Sequence, residues 1–205
     1  MHGENRSSDS LVAPGITATK VLVVLNVVIF VFLSVRGDPQ DSAYMLRNGA
    51  LWTPAVLEEH AYYRLITAVF LHFSLTHLFN NMLLLFFMGD VLEHAVGRSR
   101  FLIIYLSAGV GGNMLTVALE LRSGSYSVSA GASGAVFGVL GALLCLLIIN
   151  RGRVAYLTAG RMVFYVLYSL FAGLTSSGVN NAAHLGGLAI GFVLMFLLSR
   201  LILRR

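Results

Sequence analysis

Four polar residues stand where the chain is otherwise apolar, and their types are those of a hydrolytic site. Ser133 lies in "SVSAGASGAVFGVLGALLCLLI", close to Gly131 and Gly134, where a small polar stretch turns wholly apolar. His77 and Asn81 lie in "HFSLTHLFNNMLLLFF", four residues apart and so on one helical face. His184 lies in "AAHLGGLAIGF". A serine hydroxyl is a weak nucleophile until a base removes its proton, and histidine is the usual base. Further donors on a neighbouring helix could hold an oxyanion. Each residue also has a plainer role. Serine in a Gly/Ala-rich helix usually packs, histidine near a helix end is usually interfacial, and asparagine in a membrane helix usually joins helices. His72 and Asn80 are assigned to such supporting or interfacial roles. A metal site from His72, His77 and His184 fits by residue type, but it lacks a carboxylate or thiolate at useful spacing. No metal is expected.

The elements that must position these residues are membrane helices. Of 205 residues, 57% are hydrophobic and 11% charged, against about 25% charged in a soluble domain. The mean hydropathy is +0.81. Six apolar runs, at about 19–35, 72–92, 101–119, 131–149, 162–178 and 182–203, come near the roughly 20 residues that a bilayer core requires. The expected fold is an all-α membrane protein of six transmembrane helices, with no soluble domain. Residues 1–18 read as a short cytoplasmic tail and residues 19–203 as the domain. The first run lacks a small-residue cleavage site and reads as a retained helix. The short tails fit a bacterial inner membrane. Cys145 sits among leucines as a small buried apolar group.

Charge sets the orientation. With the N-terminus inside, the cytoplasmic side holds Arg6, Lys20, Arg98, Arg100, Arg151, Arg153, Arg161, Arg200, Arg204 and Arg205. The outer side holds only Arg36, Arg47, Arg64 and Arg122, so both termini are expected in the cytoplasm. The net charge of +5 is then a topology signal, with membrane lipid headgroups as partners and no nucleic acid. The long external loop 36–70, with Trp52, Tyr62 and Tyr63, predicts short helices lying in the interface.

This topology puts the polar residues in one layer. The second, fourth and sixth helices all enter from outside, and His77, Ser133 and His184 lie near the start of each. Gly134-x3-Gly138 and Gly187-x3-Gly191 would let the fourth and sixth helices approach closely, bringing Ser133 toward His184. Asp90 and Glu93 lie roughly 20 Å deeper than His77 at 1.5 Å per residue, and nothing brings Glu120 to His184. A serine–histidine dyad without an acid is expected.

At these residues the sequence resembles the rhomboid family of intramembrane serine proteases. The matching stretches are "HFSLTHLFNN", "GASGAVFG", "AHLGGLAIG" and "GDVLEHAVG", the last carrying Gly89, Glu93 and Gly97. The resemblance covers residues 19–203. It implies Ser133 as nucleophile, His184 as general base, and His77 and Asn81 as oxyanion donors, with Phe137, Gly131 and Ala132 supporting the site. Some members carry Tyr where Phe137 stands, and a Trp-Arg pair where Tyr63-Arg64 stands. "TSSGVNN" (175–181) could cap the site. The implied substrates are single-pass transmembrane proteins cut near the outer face, without a cofactor. Two alternatives are a silent scaffold that binds membrane proteins through the same groove and a transporter using the intramembrane histidines.

Overall fold

The computed structural model describes residues 17–151, 153–175 and 178–202. These residues are mostly helical. Helix α1 (Ala18–Arg36) is followed by three short helices, α2 (Ser42–Arg47), α3 (Thr53–Leu57) and α4 (Arg64–Thr67), and a 3₁₀ turn (Ala68–Phe70). Helix α5 (Leu75–Leu84), a π turn (Leu85–Gly89) and α6 (Asp90–Val96) run on as one rod. Then come α7 (Arg98–Ser123), α8 (Ser133–Ile149), a hairpin of β1 (Arg153–Val154) and β2 (Leu157–Thr158), α9 (Ala159–Thr175) and α10 (Asn181–Ile202).

Among the described residues, each of the six apolar runs is largely helical. Four segments, Ala18–Arg36, Leu75–Val96, Arg98–Ser123 and Asn181–Arg200, are long and apolar enough to cross a bilayer. The chain is an integral membrane protein. Helices α8 and α9 have 17 residues each, short of the roughly 20 that a spanning helix uses. In α8 every residue from Gly134 to Leu143 is buried, so most of the helix meets protein rather than lipid. It packs against α7 and α10 at the centre of the molecule.

Local chemistry moves several boundaries. Helix α5 begins at Leu75 because Ser74 caps it, its Oγ accepting the His77 N–H at 3.2 Å. His72 therefore precedes the helix. Residues 1–16 of the expected tail lie outside the described residues, and Thr17 already caps α1 by accepting the Lys20 N–H at 3.3 Å. The loop after α8 holds a hairpin that no turn signal announces. Arg153 pairs with Thr158 and Val154 with Leu157, and Ala155 takes φ +49° where Gly or Asn would be usual.

The Gly89–Glu93–Gly97 stretch joins the end of the rod to α1. Glu93 accepts the N–H groups of Ala18 and Thr19 at 2.7 and 2.8 Å and the Thr19 hydroxyl at 2.7 Å. A carboxylate on the orphan donors of a helix N-terminus satisfies hydrogen bonds and the helix dipole together. A Cβ at Gly89 would lie 3.0 Å from Thr19 Cγ2, so glycine sets that approach.

Candidate active site

The site begins with a close crossing of two helices. A Cβ at Gly187 would fall on the carbonyl oxygen of Gly134, and a Cβ at Gly191 on that of Gly138. A Cβ at Gly134 would lie 3.3 Å from the Ala183 carbonyl oxygen. The neighbours of Ser133 and His184 in sequence, Gly134 and Ala183, are thus in contact, as the glycine spacing predicts. Helix α7 joins the same crossing, which the sequence reading does not anticipate. A Cβ at Gly186 would lie 3.0 Å from Gly112 Cα, and one at Gly138 would fall on Ala108 Cβ. The signal was present in "SAGVGGN", a second run of small residues in the third apolar stretch.

Ser133 is the first residue of α8, so its backbone N–H is one of the orphan donors at a helix start. The segment ahead of it hangs from the external loop. Ser129 and Leu51 exchange backbone hydrogen bonds at 2.8 and 3.0 Å, and the Gly131 N–H donates to Ala68 O at 2.9 Å. The Ala132 N–H donates to His72 Nε2 at 3.4 Å. Gly131 sits at φ +148°, a conformation that side chains rarely adopt. A Cβ there would lie 2.8 Å from His77 Nε2 and 3.7 Å from Ser133 Oγ. His77 and Ser133 therefore border the same small space.

His184 is 7% exposed. Its ring lies flat on Phe137, with centroids 4.2 Å apart and planes 6° from parallel. Phe137, which the resemblance implies as a supporting residue, stacks on the ring without a hydroxyl. His184 Nδ1 is buried with no hydrogen-bond partner among the described residues. The acids are engaged elsewhere. Glu120 accepts the hydroxyls of Thr53 and Ser127 at 2.6 Å each, and Glu93 serves α1.

Asn81 is 5% exposed while Asn80 faces outward, which agrees with the helix phase read from sequence. One Asn81 N–H is occupied, donating to His77 O at 3.1 Å. His72 is fully buried, edge-on to His77 at 5.0 Å. It supports the serine segment and is not interfacial. Arg64 is likewise internal. It is 8% exposed and donates from one nitrogen to Leu46 O and Ala50 O at 2.7 and 2.8 Å, while Tyr63 is exposed.

These features define a helical membrane protein with a serine and a histidine on two touching helix starts. A family model for the Rhomboid domain matches residues 59–201. The chain belongs to the rhomboid family, whose members are typically intramembrane serine proteases acting on membrane proteins. Similar proteins include the rhomboid protease GluP of Bacillus subtilis, 32% identical over 86% of this chain and 34% of that protein. RHOMBOID-like protein 1 of Arabidopsis thaliana is 33% identical over 85% of this chain and 51% of its own length. The rhomboid YdcA of Bacillus subtilis is 30% identical, with 86% of this chain and 85% of YdcA covered. The chain thus spans between a third and a half of the first two relatives and most of the third.

Proposed function

We propose that this protein is an intramembrane serine endopeptidase that cuts single-pass transmembrane proteins near the outer membrane face. The observation that supports the reading is the contact between Gly134 and Ala183, the chain neighbours of Ser133 and His184, near the starts of α8 and α10. Six helices cross the membrane on this reading, with both termini in the cytoplasm, as the distribution of arginines suggests.

The chemistry then follows. Ser133 Oγ attacks the scissile carbonyl carbon as its proton passes to His184. On this reading Nε2 is the base, since Nδ1 of His184 is buried with no partner among the described residues. The carbonyl oxygen becomes an oxyanion, held by the Ser133 N–H, His77 and the second N–H of Asn81. Such donors are worth about 10²–10³ in rate each. Collapse breaks the C–N bond, and the leaving amine takes the proton from His184. Water, deprotonated by the same histidine, hydrolyses the Ser133 ester and restores the enzyme. No cofactor takes part.

The imidazole is oriented by packing on Phe137 rather than by a carboxylate. A substrate helix must unwind to expose its carbonyl, so helix-breaking residues near the cut should speed cleavage. The test is cleavage of a model single-pass substrate in liposomes, with labelling by a small fluorophosphonate. Wild type should cleave and label, and Ser133→Ala should do neither. Cleavage that survives Ser133→Ala overturns the mechanism, and a wild type that neither cleaves nor labels is a scaffold.

A further inference from the structure

Asn180 sits between the two halves of the site and touches both. Its Oδ1 accepts the Ala183 N–H at 3.0 Å, and its backbone carbonyl accepts the His184 N–H at 3.2 Å. It is therefore the N-cap of the helix that carries His184. A cap needs nothing more. Yet the other end of the same amide donates from Nδ2 to Ser129 Oγ at 3.2 Å. Ser129 lies four residues before Ser133, in the segment that pairs with Leu51. The Thr116 hydroxyl of α7 lies 3.2 Å from Asn180 Oδ1.

The orientation of the amide is fixed by its partners. An N–H group can only donate, so the Ala183 N–H requires Oδ1 on its side, and this turns Nδ2 toward Ser129. One planar group thus fixes the His184 turn, the Ser133 segment and α7 relative to one another. The glycine crossing brings α8 and α10 into contact but begins at Gly134. Ahead of that crossing, the amide of Asn180 spans the serine segment and α10.

We propose that Asn180 is a positioning residue that sets the spacing of Ser133 and His184 by tying Ser129 to the start of α10. The proposal rests on the protease reading for its effect on rate. It predicts that shortening this side chain alters turnover even when the helix cap is kept.

The decisive variant is Asn180→Ser. Serine caps a helix about as well as asparagine, but its hydroxyl is too short to reach Ser129 as well. Ser129→Ala removes the same bond from the other side and leaves the backbone pairing with Leu51. Both variants should keep the wild-type melting temperature to within a few degrees. Both should lower kcat and fluorophosphonate labelling by roughly fivefold, the value of one net hydrogen bond, with KM changed less than about twofold. The double variant should be no worse than either single, because one bond is lost. Hydrogen exchange in residues 127–135 should quicken in all three.

Wild-type kcat and exchange in Asn180→Ser would reduce Asn180 to a cap and overturn the proposal. Multiplying effects of the two single changes, or a rise in KM alone, would overturn it as well. If the wild type neither cleaves nor labels, the protease reading fails separately. Exchange then still decides the coupling, since unchanged protection in Asn180→Ser refutes it.

Discussion

Replacing Gly187 by alanine tests the architecture of the site with a single carbon. The added Cβ would fall on the Gly134 carbonyl oxygen and lie 3.2 Å from Gly134 Cα. Both are backbone atoms in a helix that is buried from Gly134 to Leu143, so no side chain can swing aside. Relief requires α8 and α10 to separate by roughly 1.5 Å to restore ordinary contact distances. Overpacking of this kind typically costs about 1–3 kcal/mol. A displacement near 1 Å between reacting groups costs on the order of 10²-fold in rate. The loss of activity should therefore exceed the loss of folded protein. Gly134→Ala is the graded comparison. Its Cβ would meet the Ala183 oxygen at 3.3 Å, a distance that a small shift relieves, so its effect should be several-fold smaller. Gly160→Ala is the control, with no atom from beyond its own helical turn within 4 Å of the new carbon among the described residues. The assay is substrate cleavage per folded molecule in liposomes, with melting temperature in parallel. Normal turnover and an unchanged melting temperature in Gly187→Ala would refute the claim that this crossing sets the site.

Ser133→Ala and His184→Ala should each abolish cleavage while the protein stays folded, and the double variant should be no worse than either, as read by fluorophosphonate labelling and thermal melting. Asn81→Ala should lower kcat with little change in KM, whereas the outward-facing Asn80→Ala should not; the reverse order at equal stability would move the oxyanion assignment to another face of α5. Phe137→Ala removes the ring stacked 4.2 Å from His184 and should slow turnover about tenfold, the worth of a good aromatic pair, while Phe137→Tyr should retain most activity. Glu93→Ala strands three donors of α1 and should cost about 2–4 kcal/mol of stability without changing labelling per folded molecule.

The sequence carried the helices and the placement of the polar residues for a simple reason. In a bilayer, apolar length and polar interruption are strong signals. Ser133, His77 and His184 could be read as one layer because the arginine bias puts the starts of their three segments on the same side. The glycine pairs were legible as close approaches because lipid offers no other cause for that spacing. Tertiary partners were less legible. His72 could be read as interfacial until Ser74 was seen to start the helix after it. Arg64 counted in the sequence only as an outer-side charge, but its carbonyl partners lie 14 and 18 residues away in the chain. Nothing in the spacing of Asn180 singles it out from its neighbour Asn181. Its partners sit 51 and 64 residues distant, a separation that local periodicity does not encode.

The proposed dyad, which has no acid, would place a particular demand on the fold. In a Ser-His-Asp site the carboxylate holds the imidazole tautomer and its direction. Here the buried Nδ1 of His184 has no partner among the described residues, and Glu120 is occupied by Thr53 and Ser127. Orientation must then come from shape, and shape is precise only where backbones touch. The Gly134–Gly187 and Gly138–Gly191 contacts leave no room for α8 and α10 to slide. The Phe137 ring, on α8 itself, leaves His184 one flat surface to lie on. On the protease reading the same helix supplies the nucleophile and the wall that aims its base, so a movement of α8 carries both together. Errors in their spacing can arise from the α10 side, where the cap at Asn180 and the small residues of α7 hold the first turn in place.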